Sequence, residues 1–382
     1  MAAIRIGAIL GLLLTGPSGF LRVPSCPWWF LILQSRERHA SPSTRVTHGT
    51  ALTLRDATAH SGVLIGTAVR PQRLSEPAYA ATLSREFNLL ELEDAMKWEI
   101  VHPAQDQFDF AQADQAAGFA AEHGMKLRGH TLVWHHQLPP WLTERRRSPD
   151  ELALVLKTHI QTVAGHFRGK LFAWDVVNEA FAEDGTGSVK STIWYDQPGI
   201  GFAGQGTAYI EQCFRWAHEA DPQALLFYND AEAEAINPKS DAIYAMVSDF
   251  KRRGVPIDGV GLQMHITKLH ADTVSIAQNI ERLTALGLQV HITEMDVAVS
   301  IDADGNATTE DLQRQADIYR DLAAACLRYS GCTAIQTWGF TDKYSWIGSH
   351  SGHKQGAALL FDQHYRPKPA YEALRQALQK RH

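Results

Sequence analysis

Short apolar, β-branched runs alternate with longer amphipathic stretches from Val63 to the end of the chain, the pattern of a parallel sheet wrapped by helices. The runs predict eight strands: Val63 to Val69, Phe87 to Leu92, Leu127 to Trp134, Phe172 to Asn178, Ala224 to Asn229, Val260 to His265, Gln289 to Met295 and Ala334 to Phe340. Helical spacing covers Ser75 to Arg85, Ala113 to His123, Pro149 to Arg168, Thr207 to Ala220, Pro238 to Arg253, Thr273 to Leu286, Glu310 to Tyr329 and Pro369 to Gln379. Gly124, Gly254 and Gly287 each follow a helix as residues able to take positive φ, and a strand begins soon after. Eight strand–helix units in this order predict a single-domain α/β fold, a closed (β/α)8 barrel over residues 61–382.

Strands of such a barrel are buried on both faces, so a polar residue that closes an apolar run is conspicuous. The run Phe172-Ala173-Trp174-Asp175-Val176-Val177 stops at Asn178-Glu179, and Gln289-Val290-His291-Ile292-Thr293 delivers Glu294 and then Asp296. Barrel enzymes keep their chemistry at these C-terminal strand ends. The other ends supply Glu93, Asp94 and Lys97 after the second strand, and His130, Trp134, His135 and Gln137 around the third. The fifth supplies Tyr228, Asn229 and Asp230, the sixth Gln263 and His265, and the eighth, with its loop, Trp338 and Trp346. Polar and aromatic groups therefore converge on one rim, while the strand interiors read as apolar. Either glutamate alone serves equally well as a structural carboxylate; the convergence favours a site.

Composition changes this picture little. With 45% hydrophobic and 20% charged residues, 382 residues bury a large core. A net charge of −6 shows no basic excess, which argues against nucleic acid and anionic membrane surfaces as partners. Ten tryptophans offer flat faces that suit sugar rings as well as cores. Residues 1–40 do not read as domain: Arg5 precedes the apolar run Ile6 to Leu14, then Gly16, Pro17 and Gly19 interrupt, and a second apolar patch runs from Pro27 to Leu33. This resembles a signal peptide and implies a secreted or periplasmic protein, with an uncleaved membrane anchor or a misplaced start codon as the alternatives. Residues 41–60 read as a linker or an N-terminal cap.

The rim residues resemble glycoside hydrolase family 10, the endo-β-1,4-xylanases, from about Val63 to Leu374. The matching pieces are Met96-Lys97-Trp98, Gly129-His130-Thr131-Leu132-Val133-Trp134-His135, Trp174-Asp175-Val176-Val177-Asn178-Glu179, Ile292-Thr293-Glu294-Met295-Asp296 and Thr337-Trp338-Gly339. Ser345-Trp346, Ala358-Leu359-Leu360-Phe361-Asp362 and Pro367-Lys368-Pro369-Ala370-Tyr371 follow in order. The resemblance implies xylan or xylo-oligosaccharides as substrate, Glu179 as general acid/base, Glu294 as nucleophile and Asn178 as the holder of the sugar 2-hydroxyl. Glu93, Asp94, Lys97, His130, Trp134, Gln137, Tyr228, Gln263, His265, Trp338 and Trp346 complete the expected sugar-binding set. Trp338 and Trp346 would restrict a bulky C5 substituent.

A retaining hydrolysis needs two carboxyls about 5–5.5 Å apart, one to attack the anomeric carbon and one to protonate the leaving oxygen. Glu179 is then expected to have a raised pKa, from Glu294 and apolar packing. Gln263 and His265, two apart on one strand and so on one face, are expected to donate to Glu294, with Asp296 orienting His265. The chain departs from the family at Asp94, where asparagine is usual; a carboxylate only accepts hydrogen bonds, which weakens the second glycone subsite. His130, His135 and His136 lack the paired spacing and carboxylate partner of a zinc site, so neither metal nor other cofactor is expected. Cys213 falls within a helix as a buried thiol, and Cys326 with Cys332 is expected to form a disulfide. No obligate protein partner is read, and the chain is expected to be a monomer. Two other readings stay open: a barrel glycosidase acting on short xylo-oligosaccharides or other β-glycans, and a sugar-binding barrel without catalysis.

Overall fold

The computed structural model describes residues 52–380 apart from His60. The expected leader lies outside these residues, as does most of the expected linker. Eight parallel strands, β1 (Leu64–Val69), β2 (Leu89–Leu92), β3 (Lys126–Val133), β4 (Ala173–Asn178), β5 (Leu225–Asp230), β6 (Gly259–Leu262), β7 (Gln289–Val297) and β8 (Cys332–Thr337), pair in chain order. The sheet closes where β1 pairs with β8, Leu64 opposite Ala334 and Thr67 opposite Thr337. The fold is thus a closed (β/α)8 barrel.

Eight helices wrap it: α1 (Pro77–Glu86), α2 (Ala111–Glu122), α3 (Pro149–His166), α4 (Ala208–Ala220), α5 (Pro238–Arg253), α6 (Thr273–Ala285), α7 (Thr309–Leu327) and α8 (Pro369–Gln379). Local chemistry sets several of their ends. Ser148 caps α3 through a capping box with Glu151, with Pro149 in the first turn. Asn237 and Ser240 do the same for α5, which stops at Gly254 in the left-handed conformation, φ 66°. A short helix, Leu54–Ala57, precedes β1, and its Arg55 donates to the carbonyls of Ser84, His123 and Gly124 at 3.0–3.2 Å. Those contacts tie the segment to the ends of α1 and α2. Cys326 and Cys332 are joined in a disulfide between α7 and β8, and Cys213 is a buried free thiol.

Two expectations need correction. The sixth run breaks after Leu262: Met264 takes φ 67°, its N–H donates to Glu234 Oε1 at 2.9 Å, and His265–Ile266 then pairs separately with Asp296 and Val297 at the end of β7. Gln263 and His265 consequently do not share a strand face. The barrel interior is also not wholly apolar. Glu91, Arg128, Asp175 and His291, on four different strands, are all fully buried. Arg128 ties them together: Nε reaches Asp175 Oδ2 at 3.1 Å, Nη1 lies 2.8 Å from His291 Nδ1, and Glu91 Oε1 is 3.7 Å from Nε. A charge buried at one level of a barrel needs a partner there; Arg128 finds Asp175 on the next strand, whereas neither Glu91 oxygen has a hydrogen-bond partner among the described residues.

Close packing leaves no room for a side chain at Gly129 of β3: a Cβ there would sit 2.2 Å from the Trp174 ring on β4. Gly129→Ala is expected to lower stability by about 1–3 kcal/mol, read as a lower denaturation midpoint in guanidinium. An unchanged midpoint would contradict this packing.

Candidate active site

Glu179 stands one residue beyond β4. Its N–H donates to the Asn229 carbonyl at 2.9 Å, extending the ladder, and its φ of 55° then turns the chain out of the sheet. Few non-glycine residues hold that conformation unless their surroundings impose it. The carboxylate receives two hydrogen bonds, from Trp134 Nε1 to Oε2 at 2.8 Å and from Gln263 Nε2 to Oε1 at 2.9 Å. Trp134 is itself held from behind, since Trp194 Nε1 donates to its carbonyl at 2.7 Å.

Glu294, inside β7, is buried. Asn229 Nδ2 donates to its Oε1 at 2.8 Å, and His265 Nε2 lies 3.2 Å from its Oε2. The two carboxyls are linked through amides, because Asn178 Oδ1 accepts from both Asn229 at 2.9 Å and Gln263 at 3.3 Å. The chain of contacts therefore runs Glu179, Gln263, Asn178, Asn229, Glu294. With its oxygen so occupied, Asn178 keeps its own N–H donors for a ligand. Thr293 Oγ1 donates to Asn229 Oδ1 at 2.7 Å, which fixes that amide's orientation.

The electrostatics of the two carboxyls differ. His265 Nδ1 lies 3.0 Å from Asp296 Oδ2. Burial pushes this imidazole down, but Asp296 and Glu294 outweigh it and raise its pKa well above the usual histidine range. His265 is thus an imidazolium next to Glu294. Trp346 Nε1 also donates to Asp296 Oδ2, at 2.7 Å. For Glu179, burial raises the pKa, yet donation by Gln263 and Trp134, with the charges of Lys190 and His135, lowers it overall. The shift is thus opposite to the expected elevation, because the donors and cations together outweigh burial.

Around the pair, Lys97 Nζ sits 4.7 Å from the centre of the Trp134 ring and 5.5 Å from that of Trp338, a cation between two aromatic walls. His130 packs edge-on against Trp338 and binds Asp175 Oδ2 through Nδ1 at 3.0 Å. Asp175 in turn is held at about 2: burial raises it, but Arg128 and His130 dominate. Glu93 is paired with Arg70 at 2.9 Å and Arg73 at 3.1 Å. Asp94 binds Arg70 Nε at 2.8 Å and lies 3.8 Å from Lys97 Nζ, so its carboxylate is committed to cations.

Two residues stand elsewhere than expected. Gln263 donates to Glu179 and Asn178 rather than to Glu294, because the break at Met264 separates it from His265. Tyr228 is fully buried; its hydroxyl accepts from the Ala180 N–H at 3.0 Å and donates to Asp230, so it braces the loop after β4 instead of facing the rim. Gln137, half-buried in the segment after β3, donates to Glu99 Oε1 at 3.0 Å. Asn229, the donor to Glu294, was legible only as a polar residue at a strand end. Asp175 and Arg128 carried one signal, a charge inside an otherwise apolar strand.

The model of glycosyl hydrolase family 10 matches residues 53–377. The chain belongs to that family. Among family relatives, it is 43% identical over 304 residues to endo-1,4-beta-xylanase B of Thermotoga neapolitana, covering 79% of this chain and 84% of that protein. It is 39% identical over 301 residues to the beta-1,4-xylanase of Dictyoglomus thermophilum, covering 77% and 82%. A crystal structure of xylanase 10B from Thermotoga petrophila in complex with xylobiose superposes with a TM-score of 0.81 at 41% identity, covering 87% of this chain and 98% of the other. Every residue of the carboxyl–amide chain lies inside the family-10 match.

Replacing Trp134 with Phe keeps the ring and deletes one donor to Glu179. The titration midpoint of Glu179, followed by carboxyl 13C NMR on the free protein, is expected to rise. A midpoint unchanged or lowered would show that this hydrogen bond does not depress it.

Proposed function

We propose that the chain is a retaining endo-β-1,4-xylanase that cleaves internal xylosidic bonds, with Glu294 as nucleophile and Glu179 as general acid/base. The observation that carries this reading is the asymmetric pair: one carboxylate lies between His265 and an amide donor, the other is partly exposed and receives the neutral donors Trp134 and Gln263.

Glu294 attacks the anomeric carbon and the glycosidic bond breaks. The leaving oxygen takes the proton of Glu179, and a covalent glycosyl ester remains. Water then adds to the same carbon, giving its proton to Glu179 and releasing Glu294. His265 and Asn229 lie against the two oxygens of Glu294, while Asp296 holds the other ring nitrogen of His265. Asn178 offers its free N–H donors to the sugar 2-hydroxyl, an interaction that tightens as the ring gains positive charge. Glu179 must carry a proton for the first step. Sugar filling the cleft expels water, which strengthens the influence of burial that already raises its pKa and offsets the two donors. Lys97, Trp134, Trp338 and Trp346 form the walls for the glycone side. Export agrees with the leader-like N-terminus and with the Cys326–Cys332 bond, since disulfides persist in oxidising compartments.

Proton NMR during hydrolysis of soluble xylan and xylohexaose tests the reading. Xylobiose and xylotriose are expected to appear first as β-anomers, with carboxymethyl-cellulose left intact and Glu294→Ala inactive. Early α-anomers would contradict retention, and loss of single units from chain ends would replace the endo-acting reading.

A further inference from the structure

Beside the carboxyl pair, the segment after β3 brings two histidines onto Glu179. In an extended chain, consecutive side chains point to opposite sides. Here the chain leaves β3 at Val133 and turns at Gln137, whose φ is 48°, and the His135 and His136 rings lie side by side with centres 4.1 Å apart. One ring nitrogen of each and a carboxylate oxygen of Glu179 all lie within 4.8 Å of one another. The sequence offered no carboxylate for these histidines; β4 delivers one.

The three groups have free valence for a common ligand. Trp134 and Gln263 take two of the roughly four lone-pair positions of the Glu179 carboxylate, leaving others open. His136 is exposed and, among the described residues, makes no hydrogen bond. Among the described residues, the His135 ring makes one hydrogen-bond contact, with Lys190 at 3.5 Å, and that ammonium is paired with Glu183 at 2.7 Å. The Trp134 ring, 5.0 Å from that of His136, walls the cluster on one side. Ligand atoms on a tetrahedral zinc ion stand roughly 3.5 Å apart, given metal–ligand distances of about 2.0–2.2 Å. Small side-chain rotations therefore close the cluster on an ion.

We infer that His135, His136 and Glu179 form a binding site for a borderline divalent transition metal, zinc, nickel or copper, and that its occupancy switches hydrolysis off. Two imidazoles and one carboxylate suit these ions, whereas magnesium and calcium prefer oxygen-only ligands. A carboxylate coordinated to a metal ion is unavailable for proton transfer. Metal binding stands on the geometry alone, while inhibition rests on Glu179 being the acid/base.

Two measurements on the full chain separate these parts. Cobalt(II) titration, read by visible absorption, reports the site without reference to catalysis, and zinc chloride added during xylohexaose hydrolysis reports its effect. Cobalt is expected to bind at one equivalent with strong visible bands that are lost in both His136→Ser and Glu179→Gln. Zinc is expected to inhibit the wild type, reversibly with EDTA, and to need a concentration at least about tenfold higher in His136→Ser. The metal-free activity of His136→Ser should stay within about twofold of wild type, as for other surface substitutions. Cobalt bands at full strength in both variants, or an unchanged zinc response in His136→Ser, would overturn the site. Bands lost in both variants while zinc spares wild-type hydrolysis would overturn the switch and place the error in the role given to Glu179.

Discussion

The functional centre depends on one hydrogen-bond acceptor, the side-chain oxygen of Asn178. It receives both Asn229 and Gln263, and those amides spend their remaining donors on Glu294 and Glu179 respectively. Each amide can bridge only if its oxygen end is oriented, and Thr293 does this for Asn229. Two carboxylates that would repel each other are thereby held by a shared set of dipoles, on strand ends that the barrel keeps in register.

That arrangement makes the two glutamates chemically unequal. Glu294 lies against a charged imidazole whose own counter-ion, Asp296, is fully buried and steadied by Trp346. Glu179 has neutral donors from the side and solvent in front. Beneath the pair, the Arg128 layer keeps His130 and Asp175 in place, with Glu91 pushed well above the usual carboxylate range by burial and by Asp175 despite Arg128. The charges of the site thus continue into the barrel interior through the Arg128–Asp175 pair on two adjacent strands.

The barrel was legible in the chain because its strands are short, β-branched and bounded by helix caps: Gly124, Gly254 and Gly287 do take positive φ where the spacing required it. Glu179, Glu294, Asn178, Trp134 and Trp338 could be placed because they end apolar runs. Several details could not be read that way. A period of two puts Gln263 and His265 on one face only if the strand is unbroken, and Met264 breaks it through a contact with Glu234, thirty residues away in sequence. Tyr228 looks like a rim aromatic by position, but Asp230 and the Ala180 N–H draw its hydroxyl into the interior. The pKa of Glu179 depends on Trp134 and Gln263, donors from other strands that no local pattern reveals. Likewise, nothing along the chain joins His135 and His136 to a carboxylate.

In the proposed mechanism, everything turns on Glu294 forming the covalent bond to sugar. The most direct measurement is trapping with a 2-deoxy-2-fluoro-β-xylobioside bearing a good leaving group, followed by peptide mass mapping. One fluoroxylobiosyl unit is expected on the peptide containing Glu294 and none on the Glu294→Ala variant. A label on Glu179, or turnover of the reagent with no ester at Glu294, would contradict it.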